Sequence, residues 1–510
     1  MRKDKNQNRM PDSAPRPMAA ADGRTGGSGS RTGSGGQNGT GGTDNRKSRT
    51  DKEILLITYI FVLLFVALIG KMVYFVGFQS DSVINTSYNH RQDVLAKRIT
   101  RGKILAAGGE VLAETVKSSK GKETRRYPYG RMFVHVVGRF KKGKTGVEAS
   151  EDFTLLTSHE NVLTNALREI SGEKIKGDNI VLTLNYKIQK AAYDALGNYK
   201  GAVVVLNPST GAVLAMVSKP DYDPNDVSSE WESLNSDSGA PLLNRATQGL
   251  YPPGSTFKIL TALEYIREYN YEDFVYKCKG STKIEGIPIK CYKNEVHGKL
   301  TLMLAFAKSC NCAFAYIGDH VNMASFRALC NSFYFNTQLP TELVTSKSSY
   351  ALSDDPDPED IPQTMIGQGE TMVSPLHMAM IAASVANNGV MMRPYVIDRV
   401  ESSSGTKISE TTPSAASTVM TADEAKIMKK LMRACVTDGT GYALSSASYT
   451  AAGKTGSAEY DSEGNSHAWF VGFAPVKNPQ VAIAVIVEGA GTGSDYAVPI
   501  AKKVLDAAVK

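Results

Sequence analysis

Three stretches of this 510-residue sequence predict an α+β fold in which an antiparallel sheet is flanked by helices. The first is Asn185-Tyr-Lys-Ile-Gln-Lys-Ala-Ala-Tyr-Asp-Ala-Leu196, whose apolar residues recur at helical spacing. Directly after it, Ala202 to Leu206 and Ala212 to Val217 read as two strands joined across the turn Asn207-Pro-Ser-Thr-Gly211. The third is the C-terminal series Tyr449–Tyr460, His467–Ala474 and Val481–Val487, apolar runs separated by polar turns, which read as neighbouring strands. Between the two strand groups lie helical patterns, and strands and helices segregated in this way suit an α+β domain rather than a parallel βαβ series.

Each helix and strand in this region brackets a polar motif. Tyr251-Pro-Pro-Gly precedes Ser255-Thr-Phe-Lys258, and an almost wholly apolar run follows, the pattern of a turn feeding a buried helix. Residues three apart on a helix share a face, so Lys258 sits one turn from Ser255 with its amine able to reach the hydroxyl. Among Phe257, Ile259 and Leu260 that lysine loses hydration, which disfavours its ammonium form and suits it to accept a proton. Ser309-Cys-Asn311 opens a second apolar helix, with a hydroxyl that can relay a proton and an amide that can bind a peptide group. Lys454-Thr455-Gly456-Ser457 lies on the first C-terminal strand, where small residues let a substrate backbone approach the edge and the lysine and threonine hold an anion. Taken singly, these are ordinary helix caps and snorkelling lysines. S-x-x-K also occurs at Ser119/Lys122, Ser171/Lys174 and Ser404/Lys407, S-x-N at Ser233/Asn235, and K-T-G at Lys144, mostly in polar, Gly/Ser-rich surroundings. Together and in order, the three motifs are the equipment of a serine acyltransferase that recognises a carboxylate.

The rest of the chain places that unit. Residues 1–53 carry eleven Lys/Arg against six Asp/Glu and a Gly/Ser/Thr-rich stretch, which predicts a disordered basic tail holding five of the seven net positive charges. The near-neutral remainder argues against nucleic-acid binding. Ile54 to Gly70 is seventeen residues without a charge and apolar character resumes to Phe78, so 54–78 is read as one uncleaved membrane-spanning anchor, a buried soluble helix being the alternative. By the positive-inside rule the tail is cytoplasmic and the bulk of the chain extracytoplasmic. Residues 79–185 form a membrane-proximal pedestal, a dimerisation-type module, and 186–510 the catalytic domain.

The motifs and their surroundings resemble the class B penicillin-binding proteins, the monofunctional transpeptidases of the penicillin-binding and serine β-lactamase-like fold. The likeness runs from about Asn89 to the C-terminus and includes Asn244-Arg-Ala-Thr-Gln-Gly-Leu-Tyr-Pro-Pro-Gly-Ser-Thr-Phe-Lys258, Ile366-Gly-Gln-Gly-Glu370, Val373-Ser-Pro-Leu-His-Met-Ala379 and His467-Ala-Trp-Phe-Val-Gly-Phe-Ala-Pro475. Arg101-Gly-Lys-Ile104 to Ala113 and Arg126-Tyr-Pro128 to Gly138 are similar to the family's membrane-proximal module, with Ala106-Ala107 standing where an acidic and a basic residue are common. The resemblance implies a peptidoglycan D,D-transpeptidase. Ser255 would attack the bond between the terminal D-alanines of a stem peptide, and Lys258 would take its proton. Ser309, Asn311 and Lys454 would complete the catalytic set, Thr455 would bind the terminal carboxylate, and backbone N–H groups of Ser255 and Ser457 would form the oxyanion hole. β-Lactams would acylate Ser255, and no metal or organic cofactor is needed. The hundred or so residues before 186 are too few for a glycosyltransferase domain, so the resemblance also implies a separate membrane glycan polymerase, of the SEDS type, as partner. A D,D-carboxypeptidase or β-lactamase would use the same serine with water as acceptor, although no base to activate that water stands out. A non-catalytic sensor or scaffold binding β-lactam or stem peptide is the third reading.

Two further features compete for attention. Gly138-Arg-Phe-Lys-Lys-Gly-Lys-Thr145 fits the phosphate-binding loop pattern, and Met132 to Val137 before it could be a strand, but no βαβ series follows. Of the six cysteines, Cys278 and Cys291 bracket a hairpin-like stretch and can pair across it as a disulfide. A zinc site from Cys310, Cys312 and His297 is disfavoured, because residues two apart on a helix do not share a face. Cys330 and Cys435 read as buried thiols, and His467 as structural, beside Trp469.

Overall fold

A computed structural model describes residues 44–74, 91–460 and 464–509. The chain forms two compact units, Met1–Gln79 and Ser80–Lys510.

In the first unit a helix runs Asp44–Tyr74, and its segment Ile54–Tyr74 is long and apolar enough to cross a bilayer, its side chains exposed throughout. The helix begins ten residues before the expected anchor, so 44–53, read as part of a disordered tail, continues it in helical form. Arg, Lys and Ser are compatible with helix propagation once an apolar helix follows, because each added residue gains a backbone hydrogen bond without a new nucleus. The remainder of the expected tail, 1–43, and 75–78 of the expected anchor lie outside the described residues.

The second unit is organised by a five-stranded, wholly antiparallel sheet. Its strands are β1 (Gly201–Leu206), β2 (Val213–Lys219), β3 (Ala452–Glu459), β4 (Ser466–Ala474) and β5 (Val481–Val487), in the order β3-β4-β5-β1-β2. Six helices frame it: α1 (Tyr186–Leu196), α2 (Lys258–Glu268), α3 (Asn311–Gly318), α4 (Pro375–Ala386), α5 (Ala422–Thr437) and α6 (Val498–Ala508). Every residue of β1 and β5 is buried, which explains why they read as unbroken apolar runs although the sheet is antiparallel. Alternate side chains serve different cores. Val204, Ala482, Ala484 and Ile486 pack with fully buried α4, whereas Val203, Val205, Ile483 and Val485 pack with Ala192 of α1 and Val504 of α6. The helix starts follow capping chemistry: Asn185 Oδ1 accepts from the Ile188 amide, Ser374 Oγ from that of His377, and Thr421 with Glu424 forms a reciprocal box.

Residues 104–182 and the much later stretch 397–410 are separate in sequence but share a second sheet. Ile397–Glu401, Asn179–Leu182, Ile104–Leu105 and Val111–Lys117 lie side by side, with Lys407–Glu410 and Glu123–Arg126 at its edges. A hairpin of the C-terminal stretch thus completes the sheet of the N-terminal module. Beneath it, fully buried Glu148 accepts from Arg101 Nε at 2.7 Å and Arg125 Nε at 2.6 Å. Burial alone would raise that carboxyl, but the two guanidiniums hold it below the usual range.

The phosphate-loop pattern has no supporting strand. Gly130–Phe133 and Val134–Val137 are helical turns, and the loop folds on itself, with the Thr145 amide donating to Arg139 O at 3.2 Å. Lys144 is engaged with Asp152. Phe133, Val136 and Val137 are buried in the main core and Val134 in a smaller cluster with Tyr222 and Val227, which satisfies their burial without a sheet partner.

Candidate active site

Ser255 lies in a single 3-10 turn, Gly254–Phe257, rather than in the α-helix itself, which begins at Lys258. Gly254 (φ +53°) and Gly367 (φ +80°) are the positions where this turn demands glycine. The Gly254 amide donates to Gly367 O at 2.8 Å, and a Cβ on Gly367 would stand 2.0 Å from Gly254 O. Trp469 Nε1 of β4 donates to Pro252 O at 3.1 Å and fixes the approach to the serine.

Ser309 comes from the turn between the helix Leu302–Ala307 and α3, with φ +56°, a left-handed conformation unusual for a residue bearing a Cβ. That twist delivers both its hydroxyl and its carbonyl to one place. Lys258 Nζ donates to Ser309 O at 2.8 Å and to Asn311 Oδ1 at 2.7 Å, and lies 3.4 Å from Ser309 Oγ. From β3, Lys454 Nζ donates to the same Ser309 Oγ at 2.8 Å and to Thr455 O at 2.9 Å. Asn311 is held in turn by donating its Nδ2 to Lys290 O at 2.9 Å. Ser255 Oγ makes no hydrogen bond among the described residues; the expected Lys258 partner is occupied by Ser309 and Asn311.

Both lysines are fully buried. Desolvation, then the neighbouring Lys454 charge, pushes Lys258 down to about 7; desolvation pushes Lys454 down to about 8. Each ammonium also faces an aromatic ring, Phe314 at 5.3 Å for Lys258 and Phe306 at 5.6 Å for Lys454. At neutral pH the site therefore holds a lysine near its titration point, a protonated lysine, and a shared hydroxyl between them.

β3 is the edge strand of the sheet, so its outer backbone is free to pair with an extended peptide. Gly456 allows it to lie against the serine turn: a Cβ there would be 3.1 Å from Thr256 Cγ2 and from Trp469 Cβ, and 3.2 Å from Pro253 O. Thr455 Oγ1 hydrogen-bonds Thr440 Oγ1, and Ser457 Oγ accepts from the Gly493 amide at 3.3 Å. Thr440, Phe306, Phe314 and Gly367 were not singled out from the sequence; only Gly367 carried a signal, its place in Ile366-Gly-Gln-Gly. His467 is a packing residue, stacked on Tyr460 at 4.3 Å and edge-on to Tyr251 at 5.4 Å, and Tyr251 in turn meets Trp469.

The cysteines depart from expectation. Cys278 and Cys291 are brought together with their sulfurs 3.7 Å apart, and both are free thiols. Cys310 and Cys312 also converge on Cys291, at 3.6 and 3.5 Å. The objection that two helical residues so spaced cannot share a face fails because Cys310 is the N-cap of α3, with φ −63° and ψ 111°, and is not itself helical.

Residues 201–506 match the penicillin binding protein transpeptidase domain, and 101–180 the penicillin binding protein A dimerisation domain. The chain is 32% identical over 453 residues to the peptidoglycan D,D-transpeptidase PbpA of Mycolicibacterium smegmatis, spanning 80% of this chain and 89% of that protein. It is 30% identical over 423 residues to penicillin-binding protein 3 of Bacillus subtilis, spanning 74% and 62%. The ceftriaxone acyl-enzyme of penicillin-binding protein A from M. tuberculosis superposes with a TM-score of 0.75 at 31% identity, over 82% of this chain and all of that one. A D,D-transpeptidase domain from Eggerthella lenta gives 0.72 at 32% identity, over 81% and 98%. The chain belongs to the penicillin-binding protein transpeptidase family. It is an enzyme, a serine-type acyltransferase of the class B kind, with one helix fit to anchor it in a membrane.

Proposed function

We propose that this chain cross-links peptidoglycan through a Ser255 acyl-enzyme and is inhibited by β-lactams that form the same ester. The observation that carries the reading is the sharing of Ser309 Oγ by Lys454 (2.8 Å) and Lys258 (3.4 Å) on the flank of the Ser255 turn. Neutral Lys258 takes the proton from Ser255 Oγ as the oxygen attacks the carbonyl carbon between the two terminal D-alanines of a stem peptide. The resulting oxyanion is held by the Ser255 and Ser457 backbone N–H groups, each donor contributing about 3 kcal/mol. As the C–N bond breaks, Ser309 Oγ passes a proton to the leaving D-alanine amine and is resupplied by Lys454 Nζ. The edge of β3 and the Lys454–Thr455 pair hold the donor's backbone and terminal carboxylate. In the second half, an amine of a neighbouring stem attacks the ester, loses its proton to the lysine–serine network, and Ser255 leaves with its own proton restored.

The helix at Ile54–Tyr74, preceded by a basic segment, favours a cytoplasmic N-terminus and an extracytoplasmic catalytic unit, where the substrate is. We infer that glycan polymerisation is supplied by a separate membrane polymerase of the SEDS type, as the family resemblance implies.

The test uses the full chain in detergent. Fluorescent penicillin is expected to give a persistent adduct on the Ser255 peptide, absent from Ser255→Ala, and a stem pentapeptide with an acceptor amine is expected to give free D-alanine and cross-linked dimer. Rapid drug turnover would instead make the chain a β-lactamase, and D-alanine release without dimer a carboxypeptidase.

A further inference from the structure

Four side chains that the serine chemistry does not use converge beside the Ser309 turn. Cys278 ends the strand Tyr276–Cys278, and His297 immediately precedes the strand Gly298–Leu300 that pairs with it, Gly298 opposite Cys278. Cys291 follows the hairpin Ser281–Ile284/Ile287–Lys290, and Cys310 caps α3. Their sulfurs and one imidazole nitrogen all lie within 4.8 Å of one another. Three of the six spacings match the edges of a coordination tetrahedron. With metal–sulfur bonds of about 2.3 Å and a metal–nitrogen bond of about 2.0 Å, the tetrahedral edges are about 3.8 Å between sulfurs and about 3.5 Å from sulfur to nitrogen. The corresponding distances are 3.7 Å for Cys278–Cys291, 3.6 Å for Cys291–Cys310 and 3.5 Å for Cys278 Sγ to His297 Nδ1.

The surroundings are built for thiolates. The Gly280 amide donates to Cys278 Sγ at 3.3 Å and the Ala313 amide to Cys310 Sγ at 3.4 Å, bonds that favour negative sulfur. With Nδ1 of His297 turned to the cysteines, its Nε2 lies on the side of the Glu295 carboxylate, 3.7 Å away, a position from which a carboxylate can support a ligating histidine on modest approach. Cys312 comes within 3.5 Å of Cys291 but falls outside the group of four whose donor atoms all lie within 4.8 Å of one another, and it directs its own S–H to Ile289 O at 3.6 Å.

We propose that Cys278, Cys291, Cys310 and His297 bind one zinc ion. Three thiolates and an imidazole in a tetrahedron select Zn²⁺ among divalent metals, and with every position filled by protein the ion is structural. Its consequence is for the active site. Cys310 lies between Ser309 and Asn311, and Cys291 follows Lys290, whose carbonyl holds the Asn311 amide. The ion ties the hairpin region 276–300 to the head of α3 and holds Ser309 in its left-handed conformation, so these four are positioning residues for the proton relay. Metal content is read without any turnover, so this proposal stands or falls separately from the cross-linking reading.

The full chain, purified in detergent with reductant and exchanged into metal-free buffer, is expected to carry about one zinc per chain by plasma mass spectrometry. Grown with cobalt in place of zinc, it is expected to show thiolate-to-cobalt charge transfer in the near ultraviolet and the intense red ligand-field bands of a tetrahedral site. Cys291→Ser and His297→Ala are expected to lose the metal while Cys330→Ser retains it, and chelation is expected to slow acylation by fluorescent penicillin about tenfold or more. Because the cobalt spectrum is taken on the unsubstituted chain, misfolding of a variant cannot decide the matter. Folded, unsubstituted protein carrying no stoichiometric transition metal, or yielding a Cys278–Cys291 disulfide on non-reducing peptide mapping, would overturn the proposal.

Discussion

The two buried lysines set a pH profile that can be worked out in advance. Acylation requires Lys258 neutral, to accept the serine proton, and Lys454 charged, to supply one. Lys258 titrates at about 7 and Lys454 at about 8. The rate of acylation should therefore rise as pH passes through 7 and fall as it passes through 8, an optimum midway between the two values. Treating the groups as independent, the fraction in the required state drops about sixfold from that optimum to pH 6. The cause of the low Lys258 value is desolvation first and the Lys454 charge second, so Lys454→Met, by removing that charge, should move the acid limb to higher pH as well as lower the maximum. The measurement is the second-order rate of adduct formation with fluorescent penicillin on the full chain, quenched in denaturant, across pH 5.5 to 9.5. A rate independent of pH below 7, or an acid limb that moves down in Lys454→Met, would refute the assignment of Lys258 as the proton acceptor.

Other substitutions address separate parts of the argument. Lys258→Met removes the acceptor while keeping an apolar stem among Phe257, Ile259 and Phe314, and should slow acylation by about 10²–10⁴-fold with the melting temperature maintained. Gly456→Val would drive a branched side chain into Thr256, Trp469 and the Pro253 carbonyl, so a destabilisation of about 1–3 kcal/mol and loss of penicillin labelling are expected together, checked by thermal melting and adduct yield. In the pedestal, Glu148→Gln would leave the Arg101 and Arg125 guanidiniums buried without their anion, at a cost of about 3–5 kcal/mol, read as an earlier denaturation midpoint. As that carboxyl is held low in the folded chain, the stability it contributes is present above the unfolded carboxylate range and is lost as pH falls through its folded value.

Much of this was written locally in the chain. The five sheet strands, the capped helix at Asn185 and the apolar crossing at Ile54 are each encoded by the period of burial along a few residues, which sequence displays directly. The three motifs were legible because the reaction demands particular side chains at fixed spacing: hydroxyl and amine one helical turn apart, hydroxyl and amide at a helix head, a cation on a strand of small residues. What sequence could not supply was the joining of distant pieces. That Lys454 reaches Ser309 across 145 positions, that Lys258 turns to Asn311 rather than resting on Ser255, and that residues 397–410 complete the second sheet are decided by tertiary packing. The cysteines show the limit most sharply. Treating Cys310 as helical forbade its meeting Cys312, but a capping residue takes extended dihedrals, and Cys310 joins two other thiols and an imidazole at a common point. Local pattern determined the elements and the reacting groups; their convergence was decided by burial of the sheet, because only that choice of contacts removes its apolar faces from water.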